Sequence, residues 1–239
     1  MLAAGVGSRL RPLTDHTPKA LVKINGIPLI EIVIRRMIAA GYNEIVINLH
    51  HLGGQIKDFV VQQNYFGQHI EFSDESDALL DTGGGLQKAS YFFNDGKPFL
   101  IHNVDIITDL DLDALRIAHM KNKALATLAV RHRDTSRYFL FDQEHRLKGW
   151  TNHKTGETKP TGAALQNTQE IAFSGVQIVE PGIFQFMHYE GAYSLTQLYL
   201  DLCNTHVIKG YVHDNGYWSD VGKPEELSAA EAWFKNKNS

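Results

Sequence analysis

The sequence predicts an α/β fold with a mostly parallel central sheet, followed by a more antiparallel region. Three observations carry this. Apolar, β-branched runs alternate with stretches of helical periodicity up to about residue 130. A glycine-containing loop, Gly5-Val6-Gly7, directly follows the first apolar run, Leu2 to Ala4. After residue 131 the helical periodicity gives way to short aromatic and β-branched runs.

The elements follow in order. Pro28 to Ala40 reads as a helix, because Ile30, Val33, Ile34, Met37 and Ile38 recur at helical spacing. Pro28 suits its first turn and Gly41 ends it. Glu44 to Leu49 is a buried strand, Gln55 to Gln63 a second helix and Ile70 to Phe72 a short strand. Gly85 to Phe93 reads as a third helix, Pro98 to Val104 as a strand ending at Asp105, Leu112 to Lys121 as a helix and Ala124 to Val130 as a strand. Beyond these, Tyr138–Phe141, Leu147–Trp150 and Ile171–Ile178 are strand-like, with a polar loop expected from Gly156 to Gln169. Ser194 to Cys203 is a helix. Asp214-Asn215-Gly216 predicts a hairpin between Tyr211–His213 and Tyr217–Trp218, and Glu225 to Lys235 closes as a helix. There is no internal repeat or low-complexity linker, so a single domain is expected over 1–239, with one half to residue 130 and a second from 131 to 239.

Composition narrows the chemistry. The 239 residues are 43% hydrophobic and carry a net charge of −4, which disfavours nucleic acid as a partner. No apolar run is long enough to span a membrane, and no secretory signal is recognisable. The single cysteine, Cys203, cannot form an internal disulfide, which suits the reducing cytoplasm; it is expected to be a small buried apolar residue. The histidines lack zinc-type spacing with cysteine, and His50-His51 is expected at a strand end.

The opening string has the character of a polyphosphate cradle. Glycines at 5 and 7 allow close backbone approach to an anion, and Ser8, Arg9, Arg11 and Lys19 follow at once. It is not a P-loop, since no Lys-Ser or Lys-Thr follows Gly7, and not a dinucleotide fingerprint, since Leu10 stands at the third glycine position. The whole string from Leu2 to Leu21 resembles the signature of the sugar-1-phosphate nucleotidyltransferase family. Three further segments extend the resemblance: Leu80-Asp81-Thr82-Gly83-Gly84-Gly85, His102-Asn103-Val104-Asp105, and Tyr217-Trp218-Ser219-Asp220-Val221-Gly222-Lys223-Pro224-Glu225. The glycine triplet is similar to that of N-acetylmuramate-1-phosphate uridylyltransferases, with Asp81 where those have Glu. No hexapeptide-repeat β-helix is attached, which argues against the bifunctional acetyltransferase form.

The resemblance implies a three-layer Rossmann-like nucleotide-diphospho-sugar transferase fold, with a nucleotide-binding half over 1–130 and a sugar-phosphate half over 131–239. It also implies Mg²⁺-dependent transfer of a nucleotidyl group from an NTP to a sugar 1-phosphate, with release of pyrophosphate. Leu2, Ala3, Ala4, Gly5, Gly7, Ser8, Asp81, Thr82, Gly83 and Gly84 would meet the nucleotide. Arg9, Lys19 and Asp105 would be catalytic, and Asp105 and Asp220 would hold the metal. Val104 stands where glycine is common, which puts the local loop shape in question. Glu157 and Lys159, in Glu-Thr-Lys-Pro with one residue more than the family's Glu-Lys-Pro, would meet the sugar phosphate, together with Ser174, Gly175 and Arg137. In the family three or four apolar residues precede Leu-Ala-Ala-Gly. Met1 directly precedes Leu2 here, so either the start is misassigned or truncated, or a short first strand suffices. A uridylyltransferase for an N-acetylmuramate-1-phosphate-like sugar is the leading expectation. Mannose- or heptose-1-phosphate guanylyltransferase and phosphocholine cytidylyltransferase are alternatives, as is a non-catalytic binding paralogue.

Overall fold

The computed structural model describes residues 1–5, 7–160 and 165–237. The strands are β1 (Lys23–Ile24), β2 (Ile27–Pro28), β3 (Glu44–Leu49), β4 (His69–Asp74), β5 (Phe99–His102), β6 (Ile106–Thr108), β7 (Ala126–Arg131), β8 (Arg137–Phe141), β9 (Leu147–Asn152), β10 (Glu157–Lys159), β11 (Gln169–Val179), β12 (Ile208–Val212) and β13 (Trp218–Asp220). The helices are α1 (Leu29–Ala39), α2 (Gly53–Gln62), α3 (Asp81–Lys88), α4 (Leu112–Asn122), α5 (Leu195–Leu202) and α6 (Pro224–Lys237). Two compact units emerge, each discontinuous along the chain: Met1–Asp81 with His102–Asp109 and Tyr217–Ser239, and Thr82–Ile101 with Leu110–Gly216.

In the first unit, β3 and β4 run parallel in register from Glu44↔His69 to Leu49↔Asp74. Ile45 to Leu49 are all buried, as expected for a strand covered on both faces. Leu2 bridges Asn48 and Asn103, both in parallel sense. Its N–H donates to the His102 carbonyl (3.0 Å), and its carbonyl accepts from Val104 N–H (3.0 Å). Leu2 thus has strand partners on both sides. Helix α1 buries Leu29, Ile30, Val33, Ile34 and Met37 on one face, each contributing about 1.5–3 kcal/mol of burial. Gly41, at φ +83°, ends that stretch. A core of Leu10, Val22, Ile24, Leu29, Ile107, Val221 and Ala230, with Trp233 and Phe234 packed on it, joins the N-terminal loop to β6 and α6.

In the second unit, one sheet has the order β10-β9-β8-β11-β7-β12, with β5 also on β11. The β12–β7 ladder is parallel, whereas β10–β9, β9–β8, β8–β11 and β11–β7 are antiparallel. The ladders of the chain are therefore mixed. Phe93, Phe99 and Phe184 stack on one another, with centroids 4.0 Å apart for the first pair. Asp111 and Ser194 cap α4 and α5 by accepting from Ala114 N–H and Gln197 N–H. Cys203 is buried, and burial pushes its thiol pKa up, in keeping with an apolar role.

Three sequence expectations are corrected. The third helix starts at Asp81, not Gly85, so the glycine triplet is helical, and a separate turn covers Ser90–Phe92. Tertiary contact overrides propensity here. The amides of Gly83 and Gly84, which a helix start leaves without partners, donate to the Tyr193 carbonyl at 2.8 and 3.3 Å, and the Thr82 hydroxyl accepts from Leu195 N–H. The Asp214-Asn215-Gly216 turn does not close a hairpin: β12 pairs with β7, whereas β13 pairs antiparallel with β6. Residues 157–159, expected in a loop, form β10, whose backbone is satisfied along β9; residues 161–164 lie outside the described residues.

The seating of α3 and the burial of His102 each lead to a measurable outcome. Alanine in a helix interior usually gains about 1 kcal/mol over glycine. At Gly83, however, a Cβ would collide with Tyr193 Cε2 and lie 2.8 Å from the Tyr193 carbonyl oxygen. Gly83→Ala should therefore lose about 1–3 kcal/mol in denaturant titration; a gain would show that α3 is not seated on Tyr193. His102 is fully buried and its Nδ1 donates to the Asn103 carbonyl (2.8 Å). Burial holds its pKa down, from 6.5 to about 4. Below pH 6.5 the unfolded chain takes up a proton that the native chain refuses, so stability falls as pH drops from 6.5 to 4. The loss reaches about 3 kcal/mol. His102→Leu should flatten that part of the curve, and an unchanged pH slope would contradict it.

Candidate active site

The first unit brings four of the expected residues together. Gly7 adopts φ +67°, and its carbonyl accepts from Leu10 N–H (3.0 Å) and from the Thr14 hydroxyl (2.8 Å). A side chain at Gly7 would press on Lys19 Cβ at 3.0 Å and Thr14 Cγ2 at 3.1 Å, so glycine serves both backbone and packing. Ser8 to Leu10 form one 3-10 turn that buries Leu10 and leaves Arg9 on the surface. Lys19 opens a second short turn and is buried.

The two aspartates are neighbours because of strand register. β13 pairs with β6 so that Asp220 faces Ile106, the residue after Asp105. Val221 N–H donates to the Asp105 carbonyl at 2.9 Å, which closes the pair. Val104 does not disturb this: it is buried, and its N–H is used by Leu2. No glycine conformation is needed there.

Lys19 Nζ donates to Asp105 Oδ2 at 2.5 Å and lies 3.8 Å from Asp220 Oδ1. Arg9 Nη2 lies 3.7 Å from Asp220 Oδ2. Two cations thus face two carboxylates. The Asp220 pKa is raised, first by burial and then by the Asp105 charge; Lys19 and Arg9 oppose the shift. Gly222 leaves room for the Arg9 guanidinium: a Cβ there would sit 2.5 Å from Arg9 Nη2 and would displace that exposed side-chain end. Arg11, by contrast, pairs with Asp15 on the surface, 3.3 Å away, and takes no part in the cluster.

The remaining expected residues are placed as follows. Leu2 and Ala3 lie along β3, with Ala3 N–H donating to Asn48 Oδ1 at 2.7 Å. Ala4 is buried, Ser8 is exposed, and a Cβ at Gly5 would meet nothing within 4 Å. Asp81 starts α3 with φ +57°. Thr82, Gly83 and Gly84 belong to the second unit, where the amides of the two glycines are taken by Tyr193. Ser174 and Gly175 lie in the irregular part of β11, between Phe173 and Gln177; Ser174 is fully buried and Oγ lies 2.7 Å from His213 Nε2. Glu157 and Lys159 share one face of β10 and pair with each other at 2.9 Å. Arg137 is exposed at the start of β8. No sequence signal singles out Asn48, Glu75 or Tyr193, whose roles arise only from packing.

Comparison with known proteins gives the family. The profile of the nucleotidyl transferase family matches residues 1–237. The chain is 32% identical, over 97% of its length and 96% of the other's, to N-acetylmuramate alpha-1-phosphate uridylyltransferase of Neisseria meningitidis serogroup B. It is 28% identical to the mannose-1-phosphate guanyltransferase of Yarrowia lipolytica, over 95% of this chain and 61% of that one. Among solved structures, the inositol-1-phosphate CTP transferase of T. maritima superposes with a TM-score of 0.76 at 16% identity, over 98% of this chain and 94% of that one. HddC of Yersinia pseudotuberculosis superposes at 0.77 with 22% identity, over 98% and 97%. These likenesses show the Rossmann-like fold of nucleotide-diphospho-sugar transferases. With the glycine loop, the cations and the paired aspartates in place, the chain belongs to the nucleotidyl transferase family and is an enzyme of that class.

Proposed function

We propose that this enzyme transfers a uridylyl group from UTP to an N-acetylmuramate-1-phosphate-like sugar, with Mg²⁺ as cofactor. The observation that carries the reading is the convergence of Arg9, Lys19, Asp105 and Asp220 beside a glycine loop. The uridylyl and sugar assignments rest on the Neisseria meningitidis relative and on the Asp81-Thr82-Gly83-Gly84-Gly85 segment.

The residues fit a divalent cation. Asp220 Oδ1 is buried without a hydrogen-bond partner, and both carboxylates converge on one positive charge, the Lys19 ammonium. Among the described residues no third His, Cys, Asp or Glu joins them. Two carboxylates with substrate phosphate oxygens and water are a usual Mg²⁺ set. Bound to Asp105 and Asp220, Mg²⁺ would neutralise the repulsion between two anionic reactants and align them.

The chain's own groups do the rest. A phosphate oxygen of the sugar 1-phosphate attacks the α-phosphorus of UTP; that P–O bond forms while the bond from α-phosphorus to the bridging oxygen breaks, and pyrophosphate leaves. The attacking phosphate is already ionised near neutral pH, so no general base is needed. Lys19, held beside Asp105, and Arg9, more exposed, supply charge to the triphosphate and the departing pyrophosphate. The open space beside Gly5 leaves room for the nucleotide against the backbone.

Asp105→Asn and Asp220→Asn should each lower turnover by at least about a hundredfold, read as pyrophosphate release with Mg²⁺ present. Near-wild-type release from either would end the metal assignment. Lys19→Ala should raise KM for UTP more than it lowers kcat, and unchanged kinetics at limiting UTP would remove its role. Substrate identity is tested by ATP, CTP, GTP, UTP and dTTP against a panel of sugar 1-phosphates. Release with GTP and mannose 1-phosphate alone would replace the uridylyl reading, and silence in every combination would leave a binding protein.

A further inference from the structure

Glu75 is fully buried, and its carboxylate is held by hydrogen bonds from neutral groups. A buried carboxylate of this kind is costly unless hydrogen bonds satisfy it. Its Oε1 accepts from Asn48 Nδ2 at 2.7 Å and its Oε2 from Leu80 N–H at 3.2 Å. The other end of the Asn48 amide, Oδ1, accepts from Ala3 N–H at 2.7 Å. The Glu75 backbone is held as well: its N–H donates to the Leu49 carbonyl (2.6 Å) and its carbonyl accepts from His50 Nδ1 (2.7 Å). All these residues lie in the first unit.

The donors fix the direction of the chain of hydrogen bonds. Ala3 N–H can only donate, so Asn48 must turn its oxygen to Ala3 and its NH₂ to Glu75. Glu75 then faces two donors, Asn48 NH₂ and Leu80 N–H. A carboxylate accepts at both oxygens and satisfies both donors; glutamine, whose NH₂ can only donate, does not. One end of this hydrogen-bond chain is the backbone that enters the Gly5–Gly7 loop. The other is the residue before Asp81.

We propose that Asn48 and Glu75 form a buried positioning relay, which sets nucleotide affinity by holding the Ala3 and Leu80 backbones in a fixed relation without touching substrate. This rests on the nucleotide reading above. Its signature is polarity, not shape. Glu75→Gln leaves one buried donor facing another, and Asn48→Asp sets two carboxylates face to face. The double variant, N48D with E75Q, restores every hydrogen bond with the charge moved across the pair. The carboxylate introduced at position 48 accepts from Ala3 N–H and from the NH₂ introduced at position 75, whose amide oxygen accepts from Leu80 N–H.

The test measures binding of Mg·UTP by calorimetry without sugar phosphate, together with hydrogen exchange at the Ala3 amide, on the full chain. Each single variant should weaken UTP binding at least tenfold and speed exchange at Ala3 at least tenfold. The double variant should return both to within threefold of wild type. Singles that bind as wild type, or a double no better than the singles, overturn the relay. If a single variant does not fold, the double variant decides: it must fold and bind within threefold, and failure overturns the proposal. Wild-type protein that binds no UTP, and none of the other NTPs used in its place, sinks the nucleotide reading and with it the relay's effect on affinity. An exchange pattern that still follows the swap would then show the hydrogen-bond chain alone to be right.

Discussion

The Lys19 ammonium stands 2.5 Å from Asp105 and 3.8 Å from Asp220, and much of the first unit is arranged to keep it there. Two carboxylates brought this close repel each other, and the upward shift of Asp220, due first to burial, has the Asp105 charge as its second cause. A buried cation offsets that repulsion. Its placement depends on Gly7, whose missing side chain makes room for the Lys19 stem, and on the β6–β13 register, which sets the aspartates side by side. The core under them, with Leu10, Ile107 and Val221 in contact, couples the loop to both strands.

This arrangement separates two jobs that motifs tend to merge. Gly7 is a structural glycine, fixed by φ, whereas Gly222 makes room for the Arg9 guanidinium beside Asp220. At Gly5 no protein atom demands the absence of a side chain. Gly83 is a third kind, required by the Tyr193 ring that lies over it.

How much was legible in the sequence follows the same physics. Helix α1 and strand β3 were readable because their burial is periodic or continuous, so local pattern and tertiary role coincide. The four charged residues could be named from their strings, though only the β6–β13 ladder explains why Asp105 and Asp220 meet. The start of α3 was not readable, since three successive glycines oppose a helix and the compensating Tyr193 carbonyl and Leu195 amide come from far along the chain. The turn at Asp214-Asn215-Gly216 had hairpin chemistry, yet its flanking strands found other partners, and turn propensity carries no information about those. Asn48 and Glu75 left no trace either, because one amide in an apolar strand, or one carboxylate in the polar stretch Ser73-Asp74-Glu75-Ser76-Asp77, looks alike whether it is solvated or networked.

Gly222 has a consequence for the reach of Arg9. A side chain there would press first on the guanidinium, the far end of an exposed side chain, and on Asp220 Oδ1 at 3.2 Å. Arg9 can swing away at little cost, so a larger residue at 222 would act on the charge beside Asp220 before it acted on the fold. The absence of a side chain at 222 thus keeps a cation where the backbone alone could not hold one.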